Sequence, residues 1–324
     1  MSKTDIAGAL PDEFALIARH FRPLAGPGAL ALGDDAAVTT PPAGRELVIS
    51  ADAMVAGVHF LPGDPADLVA RKLLRTNLSD LAAMGAAPLG YLMTVSAPRE
   101  TDEKWFAAFA AGLAEDQAAF GLSLLGGDTT STPGPISLSL TILGTVAPGT
   151  ALRRNTAQPG DGIWVSGSIG DGALGLLAAK GELADPDFYL AGRYRLPRPR
   201  LALGLRLHGI ATAAMDVSDG LVQDLGHLCR ASLLAAEIMA GAVPLSPQAR
   251  ATDRLALCLT GGDDYELLFA VPDAREAALR QAAGEAGVDV TRIGAFRAGE
   301  PRVTVLAADG TQWPIVSCGW SHFG

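Results

Sequence analysis

The chain has 324 residues, which is long for one hydrophobic core and favours a division into two domains. Hydrophobic residues make up 49% of it and charged residues 19%, the composition of a folded protein rather than of a disordered one. With 25 basic and 35 acidic residues the net charge is −10, opposite in sign to that of a typical binder of nucleic acid or anionic membranes. We therefore expect neither a nucleic-acid partner nor a membrane partner.

The cysteines and the apolar segments indicate the compartment. Cys229, Cys258 and Cys318 are few and far apart, which suits reduced thiols rather than a disulfide framework or a zinc site. The first twenty residues carry several charges and no apolar run, so no signal peptide is expected. The longest stretch without a charged residue, 129–152, contains prolines and glycines and does not fit a membrane span. The sequence predicts a cytoplasmic protein.

Apolar periodicity predicts a mixture of helices and strands in the first part of the chain. In chain order the predicted elements are a helix over 12–22, a strand over 46–51, a helix over 66–84, a strand over 91–96, a helix over 102–120 and a strand over 136–142. Apolar residues alternate with serine and threonine in the last of these, as in an antiparallel strand with one buried face. The turn-rich segment 148–162 then predicts a boundary between an N-terminal domain over 1–147 and a C-terminal domain over 148–324.

The second part of the chain shows the same alternation of element types. The predicted elements are a strand over 163–166, a helix over 172–180, a proline-broken loop over 193–200, a strand ending at 215–217, a helix from 218 to about 236, and strands over 255–260, 266–271 and 303–307. No repeat of fixed period interrupts this pattern.

Aspartates beside glycine or serine recur along the chain and are the main chemical signal. They occur in the strings GDD (33–35), SAD (50–52), GGD (126–128), DVSDG (216–220) and GGDD (261–264), and Asp80 lies within the long predicted helix. Any one of these alone is more simply a turn. Together, carboxylates at strand ends and helix starts are typical of Mg²⁺ sites, and Mg²⁺ usually binds together with substrate phosphates. The pattern predicts nucleotide-dependent phosphoryl transfer.

Other familiar motifs do not compete with this prediction. No lysine follows a glycine, which excludes a Walker A loop. Residues 170–175 (GDGALG) match the dinucleotide-binding pattern, but the required acidic strand end about twenty residues later is missing, so we interpret them as helix-start packing. His59 lies just after the Asp52 cluster, whereas the other histidines are scattered and are expected to be surface or capping residues. No zinc-protease or acyl-hydrolase motif is present.

Six motifs and the C-terminal tail together resemble the thiamine-monophosphate kinase family. They occur in the family's order as GDDAAV (33–38), DAMVAGVHF (52–60), NLSDLAAMGAAP (77–88), GGDTT (126–130), DVSDGLVQDLGH (216–227), GGDDYELLF (261–269) and GWSHF (319–323). The resemblance implies an aminoimidazole-ribonucleotide-synthetase-like fold, in which an α/β N-terminal domain forms a homodimer and an α+β C-terminal domain follows, both with helices on mixed sheets. It also implies direct in-line transfer of the ATP γ-phosphoryl group to thiamine phosphate, the last step of thiamine diphosphate biosynthesis, with several Mg²⁺ ions.

The resemblance also implies site residues. The positions that match magnesium ligands of the family are Asp35, Ser50, Asp52, Asp80, Asp128, Asp216 and Asp219. Those that match ATP contacts are Gly127, Asp128, Arg154 and Ser218, and those that match thiamine phosphate contacts are His59, Asp263 and Trp320. No general base is assigned, because the substrate phosphate is already an oxyanion at neutral pH.

Elementary chemistry adds two expectations for these residues. Arg154 offers a planar fork of donors to phosphate oxygens. Ser218 and Asp219 directly precede a predicted helix, so their backbone N–H groups are expected to receive phosphate, with Ser218 able to serve also as the N-cap.

The chain departs from the family at three positions, and two other functions stay open. Ala51 stands where the family often has threonine, Asp263 where it often has glutamate, and Trp320 where it often has tyrosine. One alternative is a synthetase of the same fold that activates an amide or a selenium nucleophile. Selenium chemistry would need a cysteine near the N-terminus, whereas the first is Cys229. The other alternative is a nucleotide or metal sensor without turnover.

Overall fold

A computed structural model describes residues 13–314 and Gly319. Backbone contacts divide the chain into two compact units. The first unit comprises the residues up to 78 together with 88–145, and the second comprises 79–87 and the residues from 146 onward. None of the helices within the described residues is long and apolar enough to cross a membrane.

The first unit is built on a four-stranded sheet. Its strands are β1 (Glu46–Val55), β2 (Ala87–Ala97), β3 (Leu124–Ser131) and β4 (Ser137–Val146), in the order β1-β4-β2-β3. Its α-helices are α1 (Glu13–Leu16), α2 (Ala66–Ala83) and α3 (Glu103–Phe120), and α1 continues as a π-helix over Ile17–Phe21. Strands β2 and β3 are parallel. The end of α2 from Ser79 onward belongs to the second unit.

One face of this sheet is buried and the other is exposed. On β4 the alternation predicted from sequence is present, with Leu138, Leu140 and Ile142 buried and the intervening residues half-buried. On the other face β1 exposes 43% of Leu47 and 61% of Ile49. A sheet with one solvated face is common, and here that face carries exposed leucine and isoleucine side chains.

The second unit is built on a six-stranded sheet. Its strands are β5 (Gly162–Ser166), β6 (Ala213–Val217), β7 (Ala235–Met239), β8 (Glu266–Val271), β9 (Val290–Arg297) and β10 (Arg302–Leu306), in the order β10-β7-β9-β5-β8-β6. Strands β10 and β7 are parallel, and the other neighbours are antiparallel.

Seven helices connect these strands. They are α4 (Asp171–Ala179), α5 (Tyr189–Arg195), α6 (Leu201–Gly204), α7 (Leu221–Ser232), α8 (Pro247–Arg250), α9 (Leu255–Thr260) and α10 (Glu276–Ala286). The inner strands β5 and β8 and the edge strand β6 are buried along their whole length. Helix α7 packs its apolar stripe, which includes Leu221, Leu225 and Leu228, into the same core.

Several predicted elements of the second unit are wrong. Residues 255–260 form α9 rather than a strand, with Cys258 N–H bound to the Arg254 carbonyl as in a helix. A short apolar run of six residues fits either structure, because too few positions are available to show a period. The predicted loop 193–200 begins inside α5. The helix predicted to reach 236 ends where Leu233 adopts φ +56°, and β7 follows.

The GxGxxG match is confirmed as helix-start packing. A Cβ at Gly172 would overlap the backbone carbonyl of Asp263, and one at Gly175 would overlap the carbonyl of Leu190. The N–H groups of Gly170 and Gly172 donate to the two carboxylate oxygens of Asp264, at 2.7 and 2.9 Å. The start of α4 is therefore occupied by a side chain of the protein itself.

Candidate functional site

The carboxylate of Asp216 lies at the end of β6 and is tied to α2. Asp216 is only 4% exposed, and its Oδ2 accepts a hydrogen bond of 2.7 Å from Ser79 Oγ. The next residue of α2 is Asp80, which is half-buried. The structure therefore brings together the motif that contains Asp80 and the motif that contains Asp216, although they are far apart in sequence.

A buried carboxylate that sequence reasoning missed organises the loop after β6. Asp224, in the first turn of α7, is 1% exposed, and its Oδ2 accepts the N–H groups of Ser218, Asp219 and Gly220 at 3.0, 3.0 and 3.2 Å. Burial raises the pKa of Asp224 to about 7, although the three hydrogen bonds act to lower it. The available signal in the sequence is an aspartate six residues after Ser218, within the predicted helix.

This arrangement corrects two expectations about Ser218 and Asp219. Their N–H groups are already bonded to Asp224, so they are not available to phosphate. The N-cap of α7 is Gly220, with φ +120°, and Ser218 is not the cap. A Cβ at Gly220 would lie 2.6 Å from the carbonyl oxygen of Thr260, so close backbone approach requires glycine there.

The acidic loop 261–265 packs directly on this segment. Asp263 N–H donates to the Ser218 carbonyl at 2.8 Å, and Tyr265 N–H donates to the Val217 carbonyl at 2.8 Å. Asp263 has φ +70°, a conformation that a non-glycine residue rarely adopts. The structure therefore places the predicted substrate contact Asp263 beside the predicted ATP contact Ser218.

Gly319 lies at the same place. A Cβ at Gly319 would lie 2.7 Å from the Asp219 carbonyl oxygen and 2.6 Å from the Gln223 side chain, so Gly319 lies against the start of α7. Trp320, the predicted thiamine phosphate contact, lies outside the described residues.

Arg154 is exposed on the surface of the second unit. Its carbonyl accepts a hydrogen bond of 2.8 Å from Ser232 Oγ at the end of α7. Burial lowers the pKa of His227, the charges of Arg230 and Arg154 lower it further, and the charge of Asp219 raises it. Arg154 and Asp219 therefore both lie within electrostatic range of the same ring.

In the first unit, the strand order separates two of the predicted ligands. Ser50 and Asp52 are half-buried and share one face of β1, because alternate residues of a strand point the same way. Asp128 is exposed on β3. Strands β1 and β3 are the two edges of the sheet, so two strands lie between Asp52 and Asp128. Asp35 is exposed on an irregular segment before β1.

The predicted turn at the GGDTT motif is wrong. Residues 126–130 lie within β3, in parallel register with β2, where Gly127 pairs with Met93. A Cβ at Gly127 would overlap the Met93 carbonyl, so the glycine is required by strand contact rather than by a turn.

The ring of His59 has a defined tautomer. Val55 N–H donates to His59 Nδ1 at 3.0 Å, so the neutral ring carries its hydrogen on Nε2. The carbonyl of His59 accepts a hydrogen bond of 3.0 Å from Nζ of Lys72, a lysine that is only 2% exposed. These two hydrogen bonds anchor the ring and its backbone, and in this tautomer the donor of the ring is Nε2–H.

The candidate magnesium ligands fit the ion in chemistry. All donors are carboxylate or hydroxyl oxygens, and Mg²⁺ in nucleotide enzymes usually takes one or two carboxylates and completes its shell with phosphate and water. Within 13–314 and Gly319, no three histidine, cysteine or acidic side chains are grouped so as to hold a metal ion. The seven-residue ligand set therefore stays a prediction.

The two described cysteines are not nucleophiles. Burial raises the pKa of Cys229 to about 11 and that of Cys258 to about 12. Both thiols are therefore protonated at neutral pH, and a thiol is a poor nucleophile compared with a thiolate. Neither provides the reactive cysteine that the selenium alternative needs.

Comparison with known proteins places this geometry in a family. Residues 33–146 match the family model described as AIR synthase related protein, N-terminal domain, and residues 158–305 match the corresponding C-terminal domain. The chain is thus a two-domain protein of the AIR synthase related class, and the predicted fold class is confirmed.

Individual relatives show which family within this class the chain belongs to. A thiamine-monophosphate kinase of Caulobacter vibrioides is 50% identical over 307 residues, which cover 91% of this chain and 86% of the relative. The crystal structure of thiamine-monophosphate kinase from Stenotrophomonas maltophilia matches with a TM-score of 0.83 and 42% identity, over 93% of this chain and 98% of that one. The structure described as AaThiL complexed with AMPPCP and TMP matches with a TM-score of 0.75 and 28% identity, over 100% and 99% of the two chains. The chain belongs to the thiamine-monophosphate kinase family.

Proposed function

We propose that this chain transfers the γ-phosphoryl group of ATP directly to thiamine phosphate, giving ADP and thiamine diphosphate. The observation that carries the proposal is the assembly of three separate motifs at the end of β6. Asp263 binds the Ser218 backbone, Gly319 lies against Asp219, and Ser79 binds Asp216. Relatives of this family are named for the same activity, and one of them was solved with AMPPCP and TMP.

The protein residues have positioning and charge-neutralising roles in this proposal. Phosphoryl transfer passes through a loose transition state, so most of the rate comes from alignment and electrostatics. Arg154 and the Ser218 hydroxyl would bind ATP phosphates, and Gly127 and Asp128 are the other proposed ATP contacts. His59 would donate its Nε2–H to the acceptor phosphate, and Asp263 and Trp320 would hold the rest of thiamine phosphate. The acceptor is already an oxyanion at neutral pH, so it needs no general base.

Magnesium is part of the proposal on the strength of the oxygen donor set. The residues that would hold it are Asp35, Ser50, Asp52, Asp80, Asp128, Asp216 and Asp219. When bound, the ion supplies positive charge that neutralises the phosphoryl oxygens. The buried Asp216 gains most from such a counter-charge, because an ionised carboxylate out of water is costly.

We also propose that the chain acts as a cytoplasmic homodimer. The sheet of the first unit supports this, because it has an exposed face with Leu47 and Ile49 on β1 and Leu92 on β2. Edge strands and apolar sheet faces are the surfaces through which a second copy pairs.

Release of ADP tests the function against its alternatives. Purified protein with ATP and magnesium should release ADP when thiamine phosphate is added, and much less when thiamine, which has no phosphate acceptor, replaces it. A synthetase would not respond to thiamine phosphate. A sensor would bind ATP and release no ADP with either compound, and that result would reject the proposal.

A further inference from the structure

We propose that Asp224 is a positioning residue for the reaction, which fixes the loop 218–220 from inside the protein so that Ser218 and Asp219 present their side chains outward. The inference rests on the proposed function, since it is that function which gives Ser218 and Asp219 their roles. Asp224 lies within the DVSDGLVQDLGH motif, and the resemblance implies no role for it.

The hydrogen-bond geometry carries this inference. Three successive backbone N–H groups, of Ser218, Asp219 and Gly220, converge on the single oxygen Asp224 Oδ2. A set of consecutive N–H groups pointing at one point forms a concave anion site. Here that point is occupied by the carboxyl oxygen of Asp224 in the same chain, and the Asp224 N–H in turn donates to the Gly220 carbonyl at 2.9 Å. Rotating any of these peptides breaks a hydrogen bond to this buried oxygen.

The opposite side of the loop is fixed as well. The Ser218 carbonyl accepts the N–H of Asp263, and Gly220 lies so close to the Thr260 carbonyl that a Cβ would be 2.6 Å from it. The three loop N–H groups are bonded to Asp224 and the Ser218 carbonyl is bonded to Asp263 N–H. These bonds restrict rotation of the loop backbone. The parts of the loop that remain available to a ligand are the hydroxyl of Ser218 and the carboxylate of Asp219, both on half-buried residues.

This arrangement differs from a nucleotide-binding helix start. In that device the free N–H groups contact phosphate directly. In this chain the N–H groups hold a carboxylate, so phosphate must be met by side chains. The contribution of Asp224 is therefore indirect, and its loss should resemble the loss of a residue that orients ligands, which typically costs 10- to 100-fold in affinity or activity.

The test compares two replacements of Asp224 with a matched control. Asp224→Ala removes all acceptors, whereas Asp224→Asn keeps one oxygen that can accept from the loop. The control is Asp161→Ala in the same unit. Asp161 is also buried, and its Oδ2 accepts the N–H of Gln158 at 2.9 Å and a hydrogen bond from Thr212, away from the loop after β6. Each variant is measured for melting temperature, for affinity to a non-hydrolysable ATP analogue with magnesium, and for kcat and KM.

We expect Asp224→Ala to lose about 10- to 100-fold in analogue affinity and in kcat/KM for ATP, with a smaller loss in Asp224→Asn. Asp161→Ala should lower the melting temperature and leave both the analogue affinity and kcat/KM within about twofold, because its hydrogen bonds go to Gln158 and Thr212 rather than to the loop 218–220. A decrease in analogue affinity and kcat/KM from wild type to Asp224→Asn to Asp224→Ala, without a matching decrease in Asp161→Ala, would distinguish positioning from general destabilisation. If Asp224→Ala does not fold, the analogue affinity and kcat/KM of Asp224→Asn are compared with those of Asp161→Ala instead.

Two results would overturn the inference. The first is that Asp224→Asn and Asp224→Ala both fold and keep the wild-type affinity for the ATP analogue and the wild-type kcat/KM. The other is an equal loss in Asp161→Ala, which would make the effect one of stability. Failure of the proposed function is separate from both, because wild-type protein would then bind the analogue without releasing ADP in response to thiamine phosphate.

Discussion

Replacement of Asp80 by asparagine should lower kinase activity by on the order of 10²-fold or more, if its charge stabilises the transition state through magnesium. The same variant in EDTA should melt at the temperature of the parent or higher. Carboxylates that share a cation repel one another when the cation is removed, and the substitution relieves part of that repulsion. Asparagine and aspartate have similar helix propensity and nearly the same shape, so α2 itself should be unaffected.

The discriminating quantity is the gain in melting temperature on adding magnesium and ATP. A ligand that binds only the native state stabilises it by RT ln(1 + [L]/Kd), so the parent should gain more than the variant. Asp67→Asn is the matched control, because Asp67 lies at the start of the same helix, is also half-buried and has no predicted site role. A lower melting temperature of Asp80→Asn in EDTA, together with an undiminished gain from magnesium and ATP, would reject the metal role and show a structural one.

Replacement of His59 by alanine should raise the KM for thiamine phosphate by about 10- to 150-fold, which corresponds to roughly 1.5–3 kcal/mol for a hydrogen bond to a charged group. The reason is the proposed contact of the ring with the acceptor phosphate, since the hydrogen bond from Val55 N–H to Nδ1 places the ring hydrogen on Nε2 as a donor. His59→Gln should recover part of the loss, because its amide can donate near the position of Nε2. Affinity for an ATP analogue should change little in both variants.

His208→Ala is the control for this experiment. Both ring nitrogens of His208 face backbone carbonyls of the second unit, at 2.9 Å from Thr150 and 2.7 Å from Gly85, so its role is structural. Its loss should lower stability and leave the KM for thiamine phosphate unchanged. An equal loss of ATP-analogue affinity and thiamine phosphate affinity in His59→Ala would contradict the assignment of His59 to the acceptor.

Elements in which the apolar pattern repeats several times were predicted correctly, whereas elements too short to repeat it were not. The eighteen residues of α2 and the alternation along β4 repeat their pattern several times, and both elements are present. The six residues of α9 carry less than two helical turns, so their apolar character did not distinguish a helix from a strand. The end of α7 was predicted too late, because the left-handed conformation of Leu233 has no glycine or asparagine to announce it.

The candidate site shows the same limit. Motifs indicated which residues carry chemistry, but not that the N–H groups after β6 are already bonded. That fact depends on the burial of Asp224, and a carboxylate buried by the fold looks the same in sequence as one in water. The GGDTT motif was likewise interpreted as a turn, because glycine beside aspartate is usual in turns, whereas contact with Met93 requires glycine inside β3.

Transfer of a labelled phosphoryl group tests the central claim most directly. Protein incubated with γ-labelled ATP, magnesium and thiamine phosphate should yield labelled thiamine diphosphate, with the label on its terminal phosphate. The same incubation without thiamine phosphate should leave the protein unlabelled, because transfer is direct and the described residues include no activated thiol acceptor. Stable label on the protein at stoichiometric level, or unlabelled thiamine compounds after ATP has been consumed, would contradict the account.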